Sequence, residues 1–154
     1  MKEASDNGVR QRRFDCPEEV AFVNLVRTTE FLSRPLAQLM KTVDLSGTQY
    51  NVLRILRGSP DGLTCGEIGS RMISREPDIT RLLDRLEKRQ LISRCRETKD
   101  RRVVLTRITP EGLELLASLD EPVQDAHREL LGHLGGKRLA ALTELLAACR
   151  KESD

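Results

Sequence analysis

Between Ser74 and Arg102 the chain gathers hydroxyl, guanidinium and ammonium groups at spacings suited to gripping a polyanion. Thr80, Arg81, Arg85 and Lys88 fall on one side of a helical wheel, with Asp84 among them and Pro77 and Ser74 at its start. Ile79, Leu82, Leu83 and Leu86 fall on the opposite side as an apolar stripe. Such a helix can rest on a core while its polar face enters a groove. A guanidinium there can bond guanine in bidentate fashion or pin a phosphate, and the sequence leaves both open. A solvated face laced by i,i+4 ion pairs among Arg81, Asp84, Arg85 and Lys88 is the plain alternative.

A second basic group follows directly. Ile92-Ser93-Arg94-Cys95-Arg96 alternates like a strand, and Val103 to Ile108 is β-branched and apolar enough to pair with it. The tip between them, Thr98-Lys99-Asp100-Arg101-Arg102, concentrates positive charge on a slender hairpin that suits the negative potential of a narrow minor groove. Asp100 is expected to hold an arginine in a fixed pose. The alternative is a charged tip with no partner. Charge distribution agrees with a groove-facing centre: residues 71–107 carry 12 basic and 6 acidic side chains, whereas residues 108–154 carry 5 and 9. The net charge of the whole chain is only +2.

The elements that must position these groups can be read on either side. A helical pattern runs from about Pro17 to Val43, with Pro35 predicting a kink or two abutting helices. Ser46-Gly47-Thr48-Gln49 and Thr64 to Glu67 are capping boxes that open two shorter helices, separated by a turn over Gly58 to Gly62. The groove-facing helix is predicted to begin near Pro77, capped by Ser74 or Glu76. After Thr109-Pro110 a leucine-rich helix is predicted to about Leu134, broken by Gly135-Gly136 before a final helix. The fold class is therefore mainly α with a small β-hairpin wing, a winged helix-turn-helix. It divides into a loose tail over 1–16, a helical dimerisation region over 17–44 and 110–154, and a DNA-binding domain over 45–109. The terminal helices exceed what so small a winged domain can cover, which favours exchange of helices between two subunits.

Composition removes other classes. At 154 residues one compact domain is expected, with no membrane-length apolar run and no signal-like N-terminus, which points to the cytoplasm. Cys16, Cys65, Cys95 and Cys149 are widely spaced, and His127 and His133 lie six apart, so neither a metal site nor a cofactor is expected. One tyrosine and no tryptophan argue against a base-stacking single-strand binder. An enzyme would need a nucleophile–base constellation or a glycine-rich phosphate loop, and neither is present in the sequence. A winged helix that binds mainly protein partners remains the other class, distinguished by weak, salt-insensitive DNA binding.

Pro77 to Glu87, then Leu91-Ile92, Asp100-Arg101-Arg102 and Thr109-Pro110-Glu111-Gly112, taken with Leu45 to Tyr50, resemble the MarR family of bacterial transcriptional regulators in that order. The resemblance spans roughly residues 20–150. It implies a homodimeric regulator, a repressor in the usual case, on a pseudo-palindromic operator of double-stranded DNA. The half-sites of such dimers lie about 34–36 Å apart. By the family pattern Thr80 and Arg81 occupy recognition-helix contacts, Arg102 the minor-groove arginine and Asp100 the carboxylate that orients the wing. Ser74, Arg75, Arg85, Lys99 and Arg101 complete the expected contact set. The resemblance also implies a small phenolic or otherwise lipophilic effector, for which Phe31, Tyr50 and Arg54 are candidates against a plain packing role. Some members sense peroxide through a cysteine within the first helix. Here Cys16 precedes that helix, Phe22 lies near the sensor position, and Asp15, Glu18 and Glu19 oppose a thiolate, so redox sensing is the alternative.

Overall fold

The computed structural model describes residues 16–97, 100 and 102–150. Apart from Cys16 the expected tail lies outside them, as do Lys99 and Arg101. The chain forms two compact units, one ending at Arg34 and the other beginning at Pro35. Helix α1, Pro17–Thr42, contributes to both and continues through Pro35 as a single helix. The two abutting helices predicted from that proline do not form. Proline removes one N–H from a helix of 26 residues, and its ring holds a φ that is already helical. In the first unit the helix carries Val20, Phe22, Leu25, Val26 and Phe31 on exposed positions.

The second unit holds the core. Leu45, Val52, Leu53, Leu56, Ile68, Leu82, Leu83, Leu86, Leu116 and Leu119 are among its buried members. Helix α2, Gly47–Arg57, begins at the predicted capping box: Gln49 N–H donates to Ser46 Oγ at 3.1 Å, and Ser46 N–H donates to Gln49 Oε1 at 2.8 Å. Helix α3, Cys65–Arg71, is capped in the same reciprocal way by Thr64 and Glu67. These two boxes satisfy donors that would otherwise face the core edge without partners.

Helix α4, Ile79–Lys88, is followed by strand β1, Ile92–Arg96, and strand β2, Val104–Ile108. The strands pair antiparallel with Ile92 opposite Ile108 and Arg96 opposite Val104. A third pairing is not apparent in the sequence. Leu63 and Thr106 exchange backbone hydrogen bonds at 3.0 and 2.8 Å, which joins the loop before α3 to the wing. Gly62 approaches there with φ +90°, and a Cβ on it would stand 2.9 Å from Arg107 Cγ.

Helix α5, Pro110–Leu131, starts on the Thr109 cap and buries Gly112, Leu116, Leu119 and Val123. It ends sooner than the sequence suggests. A short 3-10 turn covers Gly132–Leu134, and the final helix α6 spans Gly135–Ala148. The break therefore begins at Gly132, and Gly135-Gly136 open α6 instead of separating it from α5. Gly135, at φ +71°, absorbs the change of direction. Leu113, placed by spacing in the apolar stripe, is exposed, as is Leu145.

Candidate nucleic-acid interface

The cap of α4 is Asp78, whose carboxylate accepts from Arg81 N–H at 3.0 Å; neither Ser74 nor Glu76 serves. Pro77 and Asp78 form a turn, so the helix starts two residues later than its proline suggested. Leu82, Leu83 and Leu86 are buried, while Thr80, Arg81, Arg85 and Lys88 are exposed on the other side. Ser74 and Arg75 are exposed in the turn between α3 and α4. Arg81 and Arg85, with Ser46 and Thr48 at the start of α2, line an open groove of about 330 Å³.

The acidic residues of α4 do not pair along the helix. Arg94 on β1 donates to Asp84 Oδ1 at 2.6 Å and to Glu87 Oε2 at 2.5 and 2.9 Å, while its backbone N–H donates to Glu87 Oε1 at 3.2 Å. The expected Arg81–Asp84–Arg85–Lys88 pairing is thereby replaced, because a guanidinium held on a strand meets both carboxylates without ordering another long helix side chain. Among the described residues Arg81, Arg85 and Lys88 take part in no ion pair. The clasp fixes the helix to the wing and leaves three cations without partners. Sequence reasoning missed Arg94 because its partners lie 7 and 10 residues away and meet it only once the hairpin folds back. The available signal was its inward place in the alternating strand.

Hydrogen bonding from Arg94 holds the Glu87 carboxyl below its ordinary value, outweighing the opposing effect of burial. The same contacts, that with Glu87 first, raise Arg94. The folded Glu87 thus titrates below its unfolded counterpart. Its contribution to stability is whole above the ordinary glutamate range, near pH 4.5, and is lost as pH falls through the lowered value. Urea midpoints measured from pH 7 to pH 3 are expected to decline less steeply in Glu87→Gln than in the parent. Parallel declines would dissociate Glu87 from the acid limb.

The wing loop closes by Val103 N–H donating to the Asp100 carbonyl at 3.0 Å. The Asp100 carboxylate accepts from Arg102 backbone N–H at 2.9 Å, and both residues are exposed. The contact is therefore to the main chain of Arg102, which orients the loop that bears its guanidinium. Two further anchors were not evident from the sequence. Asn51 Oδ1 accepts from Ile73 N–H at 2.9 Å, tying α2 to the turn before α4, and Arg89 donates to the carbonyls of Asp44 and Val43 at the end of α1.

The remaining candidates fall in different surroundings. Tyr50 is half-buried against the core, with the Arg54 guanidinium 5.9 Å from its ring centroid, a packing pair one helical turn apart. Phe31 is exposed on the first unit, and Cys16 is exposed just before α1. Cys95 accepts from the Arg107 guanidinium at 2.9 Å across the wing. No group of three or more His, Cys, Asp or Glu among the described residues is placed to hold a metal, and no described helix is long and apolar enough to cross a membrane.

A capped helix-turn-helix, an unpaired basic face and a hairpin beside it define a winged helix-turn-helix DNA-binding protein. The MarR family model matches residues 45–104. The multiple antibiotic resistance protein MarR of Salmonella typhimurium is 32% identical over 114 residues, 73% of this chain and 78% of that protein. A MarR transcription factor from Planctomyces limnophilus, solved as a crystal structure, is 39% identical with a TM-score of 0.68, covering 88% of this chain and 99% of the other. A mutant MarR from E. coli complexed with operator DNA superimposes with a TM-score of 0.77 at 26% identity, over 87% and 96%. The chain belongs to the MarR family, and it is a DNA-binding transcription regulator with the fold of that class, not that of an enzyme.

Proposed function

We propose that this regulator is a homodimeric repressor that reads a pseudo-palindromic operator, with α4 in the major groove and the wing in the adjacent minor groove. The observation that carries this reading is the Arg94 clasp, which withdraws Asp84 and Glu87 and leaves Arg81, Arg85 and Lys88 unpaired beside the wing. Thr80 and Arg81 then contact base edges, while Ser74, Arg75, Arg85, Lys99 and Arg101 serve phosphates, Arg102 enters the minor groove, and Asp100 orients its loop. Residues 45–109 form the DNA-binding part. Segments 17–44 and 110–154 carry dimerisation, supported by the apolar side chains exposed on α1 and by Leu145 on α6. The complex of the E. coli relative with operator DNA supports the same docking.

Release from DNA follows from a small lipophilic or phenolic effector, because any ligand that favours one separation of two recognition helices over another shifts operator affinity. Titration against the chain's own upstream DNA and a scrambled duplex, at two salt concentrations, tests the reading. Tight, selective binding that weakens steeply with salt is expected, and weak binding indifferent to sequence and salt contradicts it. Arg102→Ala is expected to lose about 1–3 kcal/mol of binding with its thermal midpoint unchanged, since the side chain is exposed. Undiminished affinity removes the wing from the interface.

A further inference from the structure

Ile73 is 89% exposed, the most exposed large apolar side chain among the described residues. Single apolar residues on a surface are common. What distinguishes this one is that its position is held and directed. Its backbone N–H donates to Asn51 Oδ1 at 2.9 Å, so the turn is fixed from α2. The preceding Met72 is extended, at φ −68° and ψ 142°, and packs against the core. Successive side chains of extended backbone point to opposite sides, so Ile73 is aimed away from that core. It stands in the turn leading to the N-terminal end of α4, beside exposed Ser74 and Arg75. In helix-turn-helix docking the N-terminal end of the recognition helix is the end that meets base edges.

A β-branched side chain held in water at that place contributes nothing to the fold. Its apolar surface matches the one apolar feature of the major groove, the C5-methyl of thymine. We infer that Ile73 is a specificity-determining residue that reads a thymine methyl in each operator half-site. The inference rests on the operator-reading function proposed above. Flanking hydroxyl and guanidinium groups hold the neighbouring backbone, and the isoleucine selects T at one position by contact and not by hydrogen bonding.

The test begins with selection of binding sites from a randomised DNA duplex pool by the full-length protein. The enriched duplex is resynthesised with each thymine replaced in turn by deoxyuridine, which lacks only the methyl. At one position per half-site the parent is expected to bind about fourfold more weakly, the effect of one methyl-sized contact. Ile73→Ala is expected to show a similar loss on the thymine duplex and no further loss on the uracil one. Its thermal midpoint should match the parent, because the side chain is exposed. Full methyl sensitivity retained in Ile73→Ala, or no sensitive thymine in the parent, overturns the inference while leaving operator reading intact. Equal weakening of Ile73→Ala on both duplexes, with the methyl effect preserved, assigns the side chain to sugar contact and also overturns it. Failure to enrich any sequence overturns the operator reading and this inference together.

Discussion

Replacement of Arg94 by methionine is expected to weaken operator binding by roughly 30-fold, although Arg94 itself need not touch DNA. The substitution keeps the aliphatic stem and removes the guanidinium that holds Asp84 and Glu87. Hydrogen bonds to charged groups contribute about 1.5–3 kcal/mol, and the partial exposure of this pair calls for the low end, about 2 kcal/mol. That corresponds to the stated factor. Two consequences act in the same direction. The freed carboxylates become available to Arg81 and Lys88 along the helix, three and four residues from Asp84, and compete with phosphates for the same cations. The wing also loses its side-chain tie to the helix that it must accompany onto DNA. Fluorescence anisotropy on a selected duplex checks the affinity, and Asp84→Asn with Glu87→Gln in the Arg94→Met background separates the two causes. Partial rescue by the neutral pair identifies the released charge as the main one. Affinity equal to the parent in Arg94→Met would falsify the role given to the clasp.

Gly112→Ala is expected to be among the most destabilising single methyl additions in the molecule, by about 3 kcal/mol and roughly 10 °C in the thermal midpoint. The first turn of α5 lies so close to the segment after α4 that a Cβ at this position would collide with the Leu91 carbonyl and stand 2.7 Å from Ile108 Cγ1. The obstacle is backbone and cannot rotate away. It is further held by Thr109 N–H donating to that same carbonyl at 3.1 Å. Relief requires α5 to lift from the end of the wing, which also disturbs the Thr109 cap on Gly112 N–H. Gly66→Ala is the matched control. It lies in α3 with nothing within 4 Å of the added carbon, so alanine there is expected to be neutral or to stabilise slightly. Thermal melts of the two variants side by side distinguish close approach from a general effect of replacing glycine. Similar midpoints for both would contradict the geometric account.

The local devices of this protein are legible from short stretches of sequence, because each depends on residues within one helical turn or one hairpin. Both capping boxes, the apolar stripe of α4, the paired strands and the Thr109 cap are of this kind. The basic face was visible for the same reason, since side chains three and four apart share one side of a helix. The start of α4 was misplaced by two residues because Pro77 and Asp78 are both acceptable near a helix start, and only the bond from Arg81 N–H selects Asp78 as the cap. Pro35 was given too much authority, since one missing donor does not end a long helix.

What tertiary structure alone decided is the fate of the charges and the close approaches. Arg94 meets Asp84 and Glu87, Leu63 meets Thr106, and Asn51 meets Ile73 only because folding brings distant segments within bonding distance. Local spacing offered Asp84 and Glu87 equally good partners on their own helix. The strand-borne guanidinium prevails because folding has already placed it between both carboxylates, so the pairing requires little additional ordering of side chains. The residue types for a DNA-binding face were therefore written in the helix itself. Which of its charges remain free to meet DNA was settled by a strand that packs against it.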